Sequence, residues 1–112
     1  MQIQTAELEG ENLNRVVARI EGLVEHCDHG FAYLEYPTTP ATFSVMLPCY
    51  ANDDRLTGAI IDRERITTHA YNHGTGWYAT LGYFCQEGPT RKIAALRCFV
   101  ASRLGDEVEI PK

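Results

Sequence analysis

The sequence predicts an α+β fold, with two main helices packed on a small, mainly antiparallel sheet in one compact domain spanning residues 1–112. Three observations predict it. The stretch from Gly88 to Gly105 punctuates itself as a helix, with Thr90 as N-cap and Gly105 where a terminating glycine belongs. A second helical period runs through Leu13, Val16, Val17, Ile20 and Leu23. Between the two, residues 66–71 and 77–84 read as the arms of a hairpin. Helices separated by an antiparallel hairpin bury their apolar faces most simply by packing on the sheet.

Taken in order, residues 2–8 alternate Ile3, Thr5 and Glu7 with Gln4, Ala6 and Leu8, as a short strand does. The first helix is expected from about Gly10 to Leu23, weakened near its end by Gly22. Residues 26–45 are strand-like, with Pro37-Thr38-Thr39-Pro40 as a turn or exposed connection. Residues 48–54 are loop by composition. A short helix over 56–65 then takes Asp53 or Asp54 as its cap and buries Ile60 and Ile61. The hairpin turns at Asn72-His73-Gly74-Thr75-Gly76, which has the glycines such a loop needs. On the long helix, Ile93, Leu96, Val100 and Leu104 share one buried face, and Ala94, Ala95 and Ala101 admit a close neighbour. Val108 and Ile110 form a short terminal strand.

Composition excludes several classes. Hydrophobic residues at 45% and charged residues at 22% are ordinary for a soluble globular protein. No apolar run approaches the roughly 18 residues that span a bilayer, and Met1-Gln2-Ile3-Gln4 opens no signal peptide, so the chain reads as cytoplasmic and not membrane-bound. A formal net charge of −5 argues against general duplex-DNA binding, whose footprint is a basic surface. It leaves room for a small anionic ligand held by local arginines. Cys27, Cys49, Cys85 and Cys98 form no C-x-x-C pair and are expected as free thiols.

Catalytic arrangements are missing from the pattern. His26-Cys27-Asp28-His29 is too cramped for a four-ligand zinc site and has no downstream partner cluster, so it reads as a polar turn and no metal is expected. Ser44 and Ser102 lack the glycine-flanked elbow of a nucleophile. Gly74-Thr75-Gly76 precedes a strand, where a phosphate loop would precede a helix. The chain is therefore expected to be non-enzymatic and to need no cofactor. Groups suited to binding remain. Tyr50, Asp54 and Arg55 lie in one loop, and Trp77 starts a strand beside the hairpin tip. Arg91 and Lys92 stand in the first helical turn, where the macrodipole disfavours cations. The exposed N–H groups from Thr90 to Ile93 favour an anion. Aromatic faces, arginines and a helix N-terminus together suit a nucleotide-like molecule.

Three blocks of the sequence resemble a family of small phage-encoded proteins of unknown function, the NinX-like family. They are Leu8-Glu9-Gly10-Glu11-Asn12-Leu13 continuing through Val17 to Gly22, then Asp54 to Glu64, then Gly88-Pro89-Thr90 through Ile110. The third is the most specific. Arg15 and Arg55 stand where the family often has tryptophan, and Arg91 where it often has proline. Guanidinium for an aromatic keeps a flat, stacking group but adds charge.

The resemblance implies a phage accessory protein acting inside a bacterial host cell and brings no established activity. The expected function is a non-enzymatic binder that sequesters a small anionic nucleotide-type molecule, such as a host anti-phage immune signal, as a homo-oligomer. Arg15, Arg55 and Arg91 would face phosphates, Trp77 and Tyr50 would stack on a base, and Asp54 would accept from ribose or base edges. The alternative is a protein-interaction module that docks its acidic surface on a host or phage DNA-metabolism or defence protein.

Overall fold

The structure is a computed structural model that describes residues 2–22, 24–28, 31–35, 50–71, 74 and 76–110. The architecture is α+β, with three helices and three small antiparallel sheets among these residues. β1 (Gln2–Gln4) pairs with β7 (Glu107–Glu109), so the two ends of the described chain lie together. β2 (Val24–Asp28) pairs with β3 (Phe31–Glu35). β4 (Thr67–Ala70), β5 (Trp77–Leu81) and β6 (Phe84–Gly88) form a meander in that order.

The first strand is shorter than its alternation suggests. It stops at Gln4 and tightens into a single 3-10 turn, Thr5–Glu7. Thr5 is the cause: it is fully buried, its N–H donates to Asp106 O at 2.7 Å and its hydroxyl to Gly105 O at 2.6 Å. One side chain thereby pins the start of the chain to the end of the long helix.

α1 (Gly10–Ile20) ends three residues before Leu23, at the glycine break that the sequence signals. Its buried stripe is Leu13, Val16 and Val17, with Ala18 beside it. Asn14 is buried too, and its Oδ1 accepts from Ala51 N at 2.9 Å, which holds the Tyr50-Ala51 turn against α1. α2 (Asp54–Glu64) begins two residues earlier than expected, because the Asp53 side chain caps it and accepts from Arg55 N at 2.9 Å. Arg65 ends it in a left-handed conformation, φ 58°. Asp53→Ala should cost about 1 kcal/mol, a normal loss for an N-cap, read as a shift in the urea midpoint.

α3 (Arg91–Leu104) is the centre of the molecule. β4, β5 and β6 pack against it, as do α1 and α2. Ala94, Ala95, Leu96, Cys98, Phe99 and Val100 have no exposed surface at all. Expectation and structure part at both ends of its apolar stripe: Leu104 is 44% exposed and Ile93 only half-buried. The helix is buried through its middle, and its last turn runs past the sheet into solvent. The small residues serve the contact expected of them. A Cβ added at Gly88 would lie 2.7 Å from Ala94 N, so β6 meets the first turn of α3 backbone to backbone.

The sequence reading also missed a strand. Residues 77–84 are not one arm: β5 stops at Leu81, Gly82 (φ +62°) and Tyr83 make a two-residue turn, and β6 follows. Gly82 supplies the positive φ that such a turn requires. Phe43 and Val45, also read as strand-like, lie outside the described residues, as do Pro37 to Pro40 and Asn72-His73 of the hairpin loop.

Candidate functional site

The seven residues singled out from the sequence fall on four parts of the surface and core. Tyr50 is only 6% exposed and belongs to the hydrophobic core; its carbonyl accepts the buried Thr57 hydroxyl. Its ring is therefore packed in the core, not offered for stacking. Trp77 is half-buried and packs on the core from β5, opposite Gly88. Arg15 is half-buried on α1.

Asp54, Arg55, Thr90 and Arg91 do gather, where the N-termini of α2 and α3 meet. Lys92 Nζ reaches Asp54 Oδ1 at 2.7 Å and ties the two helix starts together. That hydrogen bond and the charge of Lys92 hold the Asp54 carboxyl below its ordinary range, with a smaller contribution from Arg91. Arg91 Nε donates to Thr68 Oγ1 on β4 at 3.0 Å. Thr90 Oγ1 accepts from Ile93 N at 3.2 Å, the cap that the sequence predicts. The cations of the first turn thus have partners within the protein, which explains their place against the macrodipole. Arg55 is exposed.

A cleft lies elsewhere. An open cleft of about 550 Å³ runs along the outer edge of β6, lined by Tyr71, Gly76, Cys85, Gln86, Glu87, Gly88, Pro89, Ala6 and Arg97. None of the seven sequence-selected residues lines it. At its floor is Arg97, only 8% exposed. Its Nε donates to Leu8 O at 2.7 Å and its Nη1 to Glu87 O at 2.8 Å. No carboxylate among the described residues lies within ion-pair distance of it, although the charge of Glu9 favours the cation from farther off. Burial pulls the Arg97 pKa below its ordinary value.

Arg97 Nη2 has no protein partner among the described residues, yet no buried side-chain nitrogen or oxygen there is left unsatisfied. Arg97 is at the same time one of the residues that line the cleft. Two carbonyls fix the fork, and the guanidinium puts a largely buried positive charge at the cleft. Across the cleft, the Tyr71 hydroxyl donates to the Glu87 carboxylate, which pushes the tyrosine pKa up to about 12. The Tyr71 ring is 38% exposed and stands 5.3 Å from Tyr78, which stacks on His69 at 4.7 Å.

Arg97 left a trace in the sequence. It stands four residues after Ile93 and three before Val100, inside the stripe drawn as apolar, and a cation there needs buried partners. Tyr71 and Glu87 left none, because their meeting depends on the register between β4, β5 and β6.

Cys85 lies exposed on the cleft wall and Cys98 is buried beneath the sheet; both are free thiols. Cys27 and Cys49, and the His26 to His29 segment, fall outside the described side chains. Among the described residues no three histidine, cysteine or acidic side chains converge. Burial pushes the Cys98 thiol up to about 11. A native-state thiol titration at neutral pH should therefore label Cys85 readily and Cys98 only after denaturation. The raised value also sets a sign. The unfolded thiol ionises first, so stability should fall as pH rises from about 9 to about 11, a loss that Cys98→Ala removes.

No described helix is long and apolar enough to cross a membrane. Residues 4–103 match the family model described as Bacteriophage P22, NinX. No curated protein matches the chain.

Proposed function

Because the chain belongs to the NinX family of phage proteins, we propose that it is a phage accessory protein of the host cell that binds and sequesters a small anionic molecule of the nucleotide class, without transforming it. The observation that carries this reading is Arg97, a cation only 8% exposed that is held by two carbonyls and lines a cleft. Such a group is best satisfied by a phosphate or carboxylate oxygen, because charge-assisted bonds are about twice as strong as neutral ones. The Tyr71 ring supplies a face for a base, and the Glu87 carboxylate an acceptor. Guanidinium, aromatic ring and carboxylate are the groups sought from the sequence, carried by other residues. A defence nucleotide made by the host is a ligand of this class.

The test is thermal stabilisation across a panel of mononucleotides, cyclic nucleotides and inorganic phosphate. A ligand at about 100 times its Kd adds roughly 2.7 kcal/mol of stability, an unmistakable shift. Added chloride should weaken binding by competing for Arg97, and the ligand released by heat should be chemically unchanged. A panel without any shift removes this reading, and a cleaved or modified ligand makes the protein an enzyme.

One observation favours a docking module instead. Tyr83 at the β5–β6 turn is fully exposed and Phe84 beside it is 41% exposed. Capture of one host protein that Tyr83→Ala abolishes, together with no nucleotide shift, would select that reading.

A further inference from the structure

The Arg97 cleft holds two charged groups that do not neutralise each other. The guanidinium is held by the main-chain oxygen of Glu87, and the side chain of the same residue carries the carboxylate. No cation among the described residues lies within ion-pair distance of that carboxylate. One of its oxygens accepts the Tyr71 hydroxyl, which fixes its direction, and a carboxylate retains further acceptor positions after one such bond. Arg97, Glu87 and Tyr71 line the same cleft, so a ligand that meets Arg97 with its anionic group and extends along the cleft brings its other end to a carboxylate and an exposed tyrosine ring.

We infer that the cleft selects guanine among the nucleobases, an inference that rests on the nucleotide reading of this same site. A carboxylate only accepts, so the base edge that suits it is one with adjacent donors. Guanine presents N1–H and the N2 amino group side by side. Adenine and cytosine each set a donor next to a ring-nitrogen acceptor, and uracil sets one N–H between two carbonyl oxygens. Against Glu87, each of these three leaves an acceptor facing a negative oxygen, whereas guanine leaves none. The stacking face of Tyr71 is indifferent to base identity, because every base has a π face. Selectivity therefore falls to Glu87, and the phosphate to Arg97.

Isothermal titration of the whole protein with GMP, IMP and AMP at one ionic strength tests this directly. GMP should bind at least about tenfold more tightly than AMP, the scale of one bidentate pair. IMP, which keeps N1–H but lacks the amino group, should fall between them. Glu87→Gln should bring GMP down to the level of AMP, because the amide turns a donor toward a donor. Tyr71→Phe keeps the ring and the carboxylate and should keep the order GMP, IMP, AMP. Both side chains are exposed, so neither variant threatens the fold, and the wild-type comparison needs no variant. Equal binding of GMP and AMP, or a guanine preference that survives Glu87→Gln, overturns the guanine assignment and leaves the nucleotide reading standing. Failure of all three nucleotides to bind at millimolar concentration overturns both.

Discussion

Leu96→Ala is expected to lower stability by about 2–5 kcal/mol, because a fully buried leucine loses its transfer energy and leaves a cavity that cannot collapse. Leu96 sits in the middle of α3, where the sheet packs on one side and α1 and α2 on the others, so few neighbours can move inward. The matched control is Arg103→Ala. Arg103 is about half exposed, pairs with Glu64 and lies 5.3 Å from the centre of the Phe99 ring. Hydrogen bonds from Arg103 first and Arg63 second hold the Glu64 carboxyl below its usual range. An exposed pair of this kind is worth no more than about 1 kcal/mol. Urea unfolding of the two variants should therefore separate their midpoints widely. Similar losses at both positions would mean that α3 does not turn its Leu96 face to the core.

Arg97→Ala is expected to cost about 3 kcal/mol, the second large effect, for a different reason. It removes two charge-assisted hydrogen bonds, to Leu8 O at 2.7 Å and Glu87 O at 2.8 Å, each worth about 1.5–3 kcal/mol. Part of that is returned, because the cation no longer has to be kept out of water. Arg97→Met restores the packing of the stem and not the bonds. It should recover less than half of the loss, since the two carbonyls still lack donors. Equilibrium unfolding of both variants separates the contributions. If Arg97→Met were as stable as the wild type, the guanidinium would contribute nothing to the fold, and its retention at the cleft would be wholly a matter of ligand.

Much of the framework was legible. α1 and α3 follow a 3.6-residue period, and Thr90 and Asp53 cap helices as their side-chain chemistry requires. These are local properties, decided within a turn or two of chain. β6 was not legible: Phe84-Cys85-Gln86-Glu87-Gly88 has no apolar alternation, because one side of it meets α3 and the other lines an open cleft. Its strand character comes from pairing with β5, which no property of the five residues announces.

The candidate site shows the same division more sharply. Reading charge along the chain picks out Arg91 and Lys92, which stand where the helix dipole opposes them, and misses Arg97 in the middle of an apolar stripe. The structure shows what each of them meets. Lys92 has Asp54, and Arg91 has Thr68, both from elements distant in sequence. Among the described residues Arg97 has two carbonyls, from Leu8 and Glu87, and it lines the cleft. By itself the sequence determined where α3 starts and stops, the cap of α2, most of the apolar face of α1, and the family to which the chain belongs, because periodicity, capping and motif are written over short spans. Only the tertiary structure decided which partners each cation meets and that Arg97 lines a cleft, because a charge is satisfied by whatever lies near it in space, and Leu8 is 89 residues from Arg97.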